Sequence, residues 1–189
     1  MNEFVMYLVF APFLFGIISF LLGRRHEEAR DRFVIAVTVA EAAAALLLLI
    51  TGDAIEGMST AQYFAPGGQQ GGGGLSFSAD GFRRVYALIT AVMWAGTTIF
   101  AKEYFLHERR GLNRYWFFIL VTLGATEGVM LSGDLMTAFV FFEILSFTSF
   151  TWVIHEETPE AIRAGYTYLF IAVIGGLVLF MGLALLSHY

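Results

Sequence analysis

Long apolar runs with almost no charge dominate this chain, and they decide what it can fold into. They lie at 4–22, 33–50, 82–101, 115–131, 135–154 and 166–186, the third with its uncharged stretch at 85–101. Each is close to the ~20 residues an α-helix needs to cross about 30 Å of hydrocarbon. The expected fold is therefore all-α: a polytopic membrane protein with six transmembrane helices in a single transmembrane domain over 1–189. Composition agrees, with 58% hydrophobic and only 14% charged residues, where a soluble chain carries about 45–50% and about 25%. The first run reads as a retained helix and not a cleaved leader. No positive segment precedes it, its apolar stretch is long, and no small-residue cleavage pattern follows.

The fourth and fifth runs are separated only by Ser132-Gly133-Asp134. That break argues for a tight helical hairpin over one continuous helix, with Asp134 as the structural N-cap of the following helix. Basic residues set the orientation. Arg24, Arg25, Arg30 and Arg32 fall in one loop, Lys102, Arg109, Arg110 and Arg114 in another, and Arg163 in a third, against Arg83 and Arg84 on the opposite side. The positive-inside rule then places those three loops in the cytoplasm and both termini outside.

The one long connection, 52–81, contains Pro-Gly-Gly-Gln-Gln-Gly-Gly-Gly-Gly at 66–74. Neither a preceding strand nor a following Lys-Ser/Thr accompanies these glycines, so the tract reads as a flexible outer loop and not a phosphate loop. Residues 75–81 alternate apolar and polar, which predicts a short strand before the third helix.

Several function classes are excluded. With no Cys there is no disulfide framework, thiolate zinc site, Cys-ligated iron–sulfur cluster or Cys nucleophile. A net charge of -5 and no basic stripe argue against nucleic acid as a partner. The four histidines, His26, His107, His155 and His188, sit in loops or near the end of the sequence, so no mid-membrane pair can hold a haem. His155, Glu156 and Glu157 are adjacent and point in different directions, so no metal site is expected there. Nothing suggests enzyme chemistry within the chain, and no cofactor is expected.

Three glutamates, Glu41, Glu127 and Glu143, stand inside apolar runs. An ionisable group at that depth costs roughly 2.5–3.5 kcal/mol on insertion scales and usually faces the bundle interior or a water path. Glu143 lies about 12 Å below the outer boundary by helical rise. Its surroundings, Phe139 to Phe147, are apolar except for Ser146 one turn on. That setting suits a group that takes up and releases protons; the alternative is a neutral acid hydrogen-bonded across a helix interface. Glu127, among the small residues Gly124, Ala125 and Gly128, either joins Glu143 in one polar pocket or reaches the interface as a solvated acid. Glu41 sits on an Ala-rich face, where an inter-helix hydrogen bond and a transport role both fit. His155 is a candidate for proton entry at the cytoplasmic end of the Glu143 helix. Lys102 and Arg163 stand at helix ends, and no cation inside the uncharged stretches is available to pair with these acids.

The stretch Ser76-Phe-Ser-Ala-Asp-Gly81 and the hairpin Gly128 to Glu143, with Glu143 nine positions after Asp134, resemble the antiporter-like subunits. These occur in respiratory complex I (NADH–quinone oxidoreductase), membrane-bound hydrogenases and Mrp-type cation/proton antiporters. Phe139-Val-Phe-Phe-Glu143 is close to the Mrp-type pattern, and 160–176 resembles the family's next helix. The resemblance covers about 76–186. It implies that Glu143 is the proton-transfer carboxylate of the fifth helix, working opposite a lysine on a seventh. It also implies a multi-pass protein of the cell's inner, cytoplasmic membrane. This sequence has six spans where the family has about fourteen, so the lysine-bearing helices are expected from a neighbouring chain or from the rest of a longer one.

The expectation is a non-redox subunit for proton translocation or cation/proton antiport, partnered by other membrane subunits and handling protons, with Na⁺ as a candidate second ion. Glu143 would transfer the proton, with Glu127, Glu41, Ser146 and His155 as candidate pathway residues. The alternative is a scaffold subunit of such a complex with no conduction of its own.

Overall fold

The computed structural model describes residues 2–52, 61–63, 74–106 and 111–188. The Gly-rich stretch 66–73, with His107, Arg109 and Arg110, lies outside the described residues. The elements are α1 (Asn2–Gly23), α2 (Glu27–Gly52), β1 (Ala61–Tyr63), β2 (Leu75–Phe77), α3 (Gly81–Tyr104), α4 (Leu112–Met130), α5 (Leu135–Val153) and α6 (Pro159–His188). The protein is an all-α polytopic membrane protein carrying one small antiparallel ribbon.

Five helices are long and apolar enough to cross a membrane, and α4 is the exception. Asn113, Arg114 and Glu127 lower its hydropathy, yet it is the centre of the bundle: Ile119 through Gly128 are all buried. Helices α1, α2, α3 and α5 pack around it. A helix enclosed by protein has no need of a lipid-compatible surface, so α4 carries polar groups that an outer helix would expose to hydrocarbon. At the other extreme, α6 buries only Gly165 and Gly176 among its described side chains. The outward face of α3 presents Phe82, Ile89, Met93 and Phe100.

The turn between α4 and α5 is tied to the ribbon. β1 pairs antiparallel with β2, Gln62 opposite Ser76. Gly133 N donates to Ser76 O at 2.6 Å and Ser78 N to Leu131 O at 2.9 Å. Asp134 accepts from Thr137 N at 2.8 Å and from Thr137 Oγ1 at 2.9 Å, and Thr137 Oγ1 in turn accepts from Ser76 N at 2.9 Å. The two stretches that carry the resemblance, 76–81 and 128–143, therefore meet in space. Under them Phe10, Phe77 and Phe141 pack with ring centroids 5.6–6.1 Å apart. Asp134→Ala removes both the cap and the anchor of Thr137. It should destabilise the protein by about 1–2 kcal/mol, read as a lower thermal-unfolding midpoint in detergent.

Arg83 and Arg84 belong to the first turn of α3. Arg83 pairs with the N-cap Asp80 and donates from Nε to Ser132 O at 2.9 Å, a second tie to the α4–α5 turn. Arg84 is buried, with its guanidinium against Gly52 of α2.

Candidate functional site

Helix α5 presents two different faces within three residues. Phe141 is 2% exposed, packs with Phe10 and Phe77, and lies over Gly128 of α4. Glu143, two positions later, points about 200° further round the helix. Its carboxyl rests against Gly176 of α6, where an added Cβ would come 2.7 Å from Cδ and 2.9 Å from Oε2. Oε1 is enclosed and has no hydrogen-bond partner among the described residues. Ser146 is buried one turn on, but its hydroxyl donates to Phe142 O of the same helix at 2.9 Å and does not serve the carboxyl.

Glu41 and Glu127 form a separate acid cluster. They are 1% and 0% exposed, and Glu127 Oε1, Glu127 Oε2 and Glu41 Oε1 lack hydrogen-bond partners among the described residues. The two side chains interact electrostatically with each other, and Tyr7 of α1 feels Glu41. One turn before Glu127, Gly124 lies against Val9 and Phe13 of α1, which fixes this face of α4 towards α1 and α2. Glu127 thus neither shares a pocket with Glu143 nor reaches solvent. Two acids enclosed together are costly unless a proton or cation is held with them.

Hydroxyls line the seams beside α5. Thr122 Oγ1 donates to Thr148 Oγ1 at 2.9 Å across α4–α5, and Thr126 Oγ1 donates to Thr122 O at 2.8 Å. Ser149 Oγ and Tyr168 OH are 2.5 Å apart across α5–α6. The Ser and Thr residues at 146, 148, 149 and 151 could have signalled this polar stripe in the sequence, where only Ser146 was singled out. His155 lies in the turn after α5, roughly 18 Å along the axis from Glu143 by helical rise. Its ring is 5.3 Å from Phe105 and 5.1 Å from Tyr115, centroid to centroid. Nearby, Arg114 and Glu157 pair at 2.7 Å. Among the described residues no group of three or more His, Asp or Glu is placed to hold a metal ion.

No family model matches the sequence. Relatives do. A Na(+)/H(+) antiporter subunit from Bacillus subtilis is 23% identical over 188 residues, covering 98% of this chain and 36% of the relative. Its counterpart from Alkalihalophilus pseudofirmus is 24% identical over 188 residues, covering 97% and 36%. Another Na(+)/H(+) antiporter subunit, from Staphylococcus aureus, is 28% identical over 109 residues, covering 57% of this chain and 14% of the relative. The chain is thus similar to subunits of cation/proton antiporters. The chain spans about a third or less of the length of these relatives. A solved structure of the membrane-bound sulfane sulfur reductase, an archaeal respiratory membrane complex, superposes with a TM-score of 0.78 at 20% identity. It covers 96% of this chain and 36% of that one, and shows a shared fold.

Proposed function

We propose that this chain is a proton-handling subunit of a multisubunit cation/proton-translocating membrane complex, with Glu143 as the proton-transfer carboxylate. The observation that carries the proposal is the Glu143 carboxyl itself, set between α5 and α6 with Oε1 enclosed and unpartnered. An acid kept in such a place without a hydrogen bond does no evident structural work, which supports a transport role. The antiporter names of the relatives support cation/proton exchange as the process and other membrane subunits as the partners. The cell membrane is the site that fits those relatives.

The Glu41–Glu127 cluster serves as a second proton-holding position on this reading, with the α4–α5 hydroxyls and His155 along the route. Glu127→Gln should leave assembly intact, because no hydrogen bond to Glu127 is lost. It should also lower proton flux in vesicles, by less than substitution of Glu143 does. Flux at the wild-type level in both Glu127→Gln and Glu41→Gln would remove the cluster from the route.

Reconstitution tests the proposal as a whole. Vesicles holding the assembled complex should show cation flux driven by a pH gradient, and vesicles holding this chain alone should not. Robust flux from the chain alone would overturn the subunit reading. A scaffold role remains the second reading, favoured because no ion pair to Glu143 exists among the described residues. It predicts that loss of the chain disperses the complex while Glu143→Gln changes nothing.

A further inference from the structure

We infer that Gly176 is a positioning residue for Glu143: its missing side chain seats the α6 backbone on the carboxyl and fixes which carboxyl oxygen stays open. The inference rests on the reading of Glu143 as the proton-transfer acid. It begins from how little holds α6. Gly165 and Gly176 are its only buried described residues, and they are eleven positions apart. At 3.6 residues per turn that is close to three full turns, so both lie on one face.

The seam with α5 has a regular antiparallel register. Gly165 meets Ile154 and Phe150, Tyr168 meets Ser149 at 2.5 Å, and Gly176 meets Glu143. Two of these contacts are ordinary packing or a hydroxyl pair. The third places backbone against an ionisable group that has no other partner among the described residues. A methyl at 176 would come 2.7 Å from Cδ and 2.9 Å from Oε2, and closer still to Oε1, so either the carboxyl or the helix must move.

The other glycines of α6 show that this is not a general property of the helix. Gly175 and Gly182 have open space where a Cβ would stand, with nothing within 4 Å. Position 176 is therefore the one glycine in α6 whose lack of a side chain bears on the carboxyl. With Gly176 in place, Oε1 is sealed against α6, and proton exchange is left to the Oε2 side.

The test uses the assembled complex in native membranes and a lipid-soluble carbodiimide, which adds to protonated carboxyls. Labelling of Glu143 is followed by mass spectrometry alongside proton flux. Gly176→Ala should change the labelling rate by roughly tenfold, the size of coupling that contacting residues show, and should lower flux. Gly175→Ala should match wild type in both. Glu143→Asp withdraws the carboxyl by one carbon–carbon bond, about 1.5 Å. In that background Gly176→Ala should have little further effect on flux, and where Gly176→Ala alone fails to assemble, assembly should return. Equal losses from Gly176→Ala in both backgrounds, or unchanged labelling, would overturn the inference. The two ideas fail separately. Wild-type flux in Glu143→Gln sinks the proton-transfer reading while the labelling contrast stands; a dead Glu143→Gln with unchanged labelling in Gly176→Ala sinks only the positioning.

Discussion

Glu143→Gln should abolish proton-coupled transport by the assembled complex and leave the complex itself intact. The amide has nearly the shape of the carboxyl, so the contact with Gly176 persists. Oε1 accepts no hydrogen bond, so no partner is stranded by the change. Assembly, judged by co-purification and thermal unfolding, should therefore match wild type within about 0.5 kcal/mol. What is lost is a site that can gain and release a proton. Positioned acid–base groups are worth about 10²–10⁴-fold in rate, and flux should fall by roughly two orders of magnitude or to the leak. Changing pH should not restore it, since an amide takes no proton over any working range. Glu143→Asp keeps the chemistry and shortens the reach, so intermediate flux is expected. Wild-type flux in Glu143→Gln leaves the scaffold reading as the better one.

The sequence and the structure agree best where a local rule is strong. Apolar length announced the membrane helices, and the Ser132-Gly133-Asp134 break announced the turn that Asp134 caps. The alternation at 75–81 announced β2, although not that it would lie on that turn. What stayed hidden depends on rotation and neighbours. A hydropathy run does not say which helix is enclosed, and α4 is both the one helix not apolar enough to count as a span and the most buried. For the same reason the sequence left Glu127 between a pocket shared with Glu143, its neighbour along the hairpin, and a solvated place at the interface. The side chain instead faces α1 and α2 and finds Glu41, some 86 residues earlier in the chain. Gly124 and Gly128 marked a close approach around Glu127 but not which helices would make it. Gly176 was visible only as half of a Gly-Gly pair, and nothing local separates it from Gly175.

The packing of α4 on α1 beside Glu127 should tolerate little added volume. At Gly124 a Cβ would come 2.6 Å from the carbonyl oxygen of Val9 and 2.6–2.7 Å from the ring of Phe13. The first of these is backbone inside α1, so it cannot turn aside as a side-chain tip can. Gly124→Ala forces α1 and α4 apart along their contact. Overpacking of this kind costs about 1–3 kcal/mol, and Gly124→Leu should exceed that and stop the complex accumulating. Gly96→Ala in α3 is the matched control, because nothing lies within 4 Å of its added methyl. It should stay within about 0.5 kcal/mol of wild type. Thermal unfolding of the detergent-solubilised complex reads both. The consequence extends beyond stability, since the buried Glu127 lies one turn from Gly124 on the same helix. Parting α1 from α4 opens the Glu41–Glu127 cluster, and a carbodiimide that labels Glu127 slowly in wild type should label it faster in Gly124→Ala. Equal unfolding midpoints for Gly124→Ala and Gly96→Ala would mean that α1 is not seated on α4 as closely as Val9 and Phe13 require, and the enclosure of the acid pair would go with it.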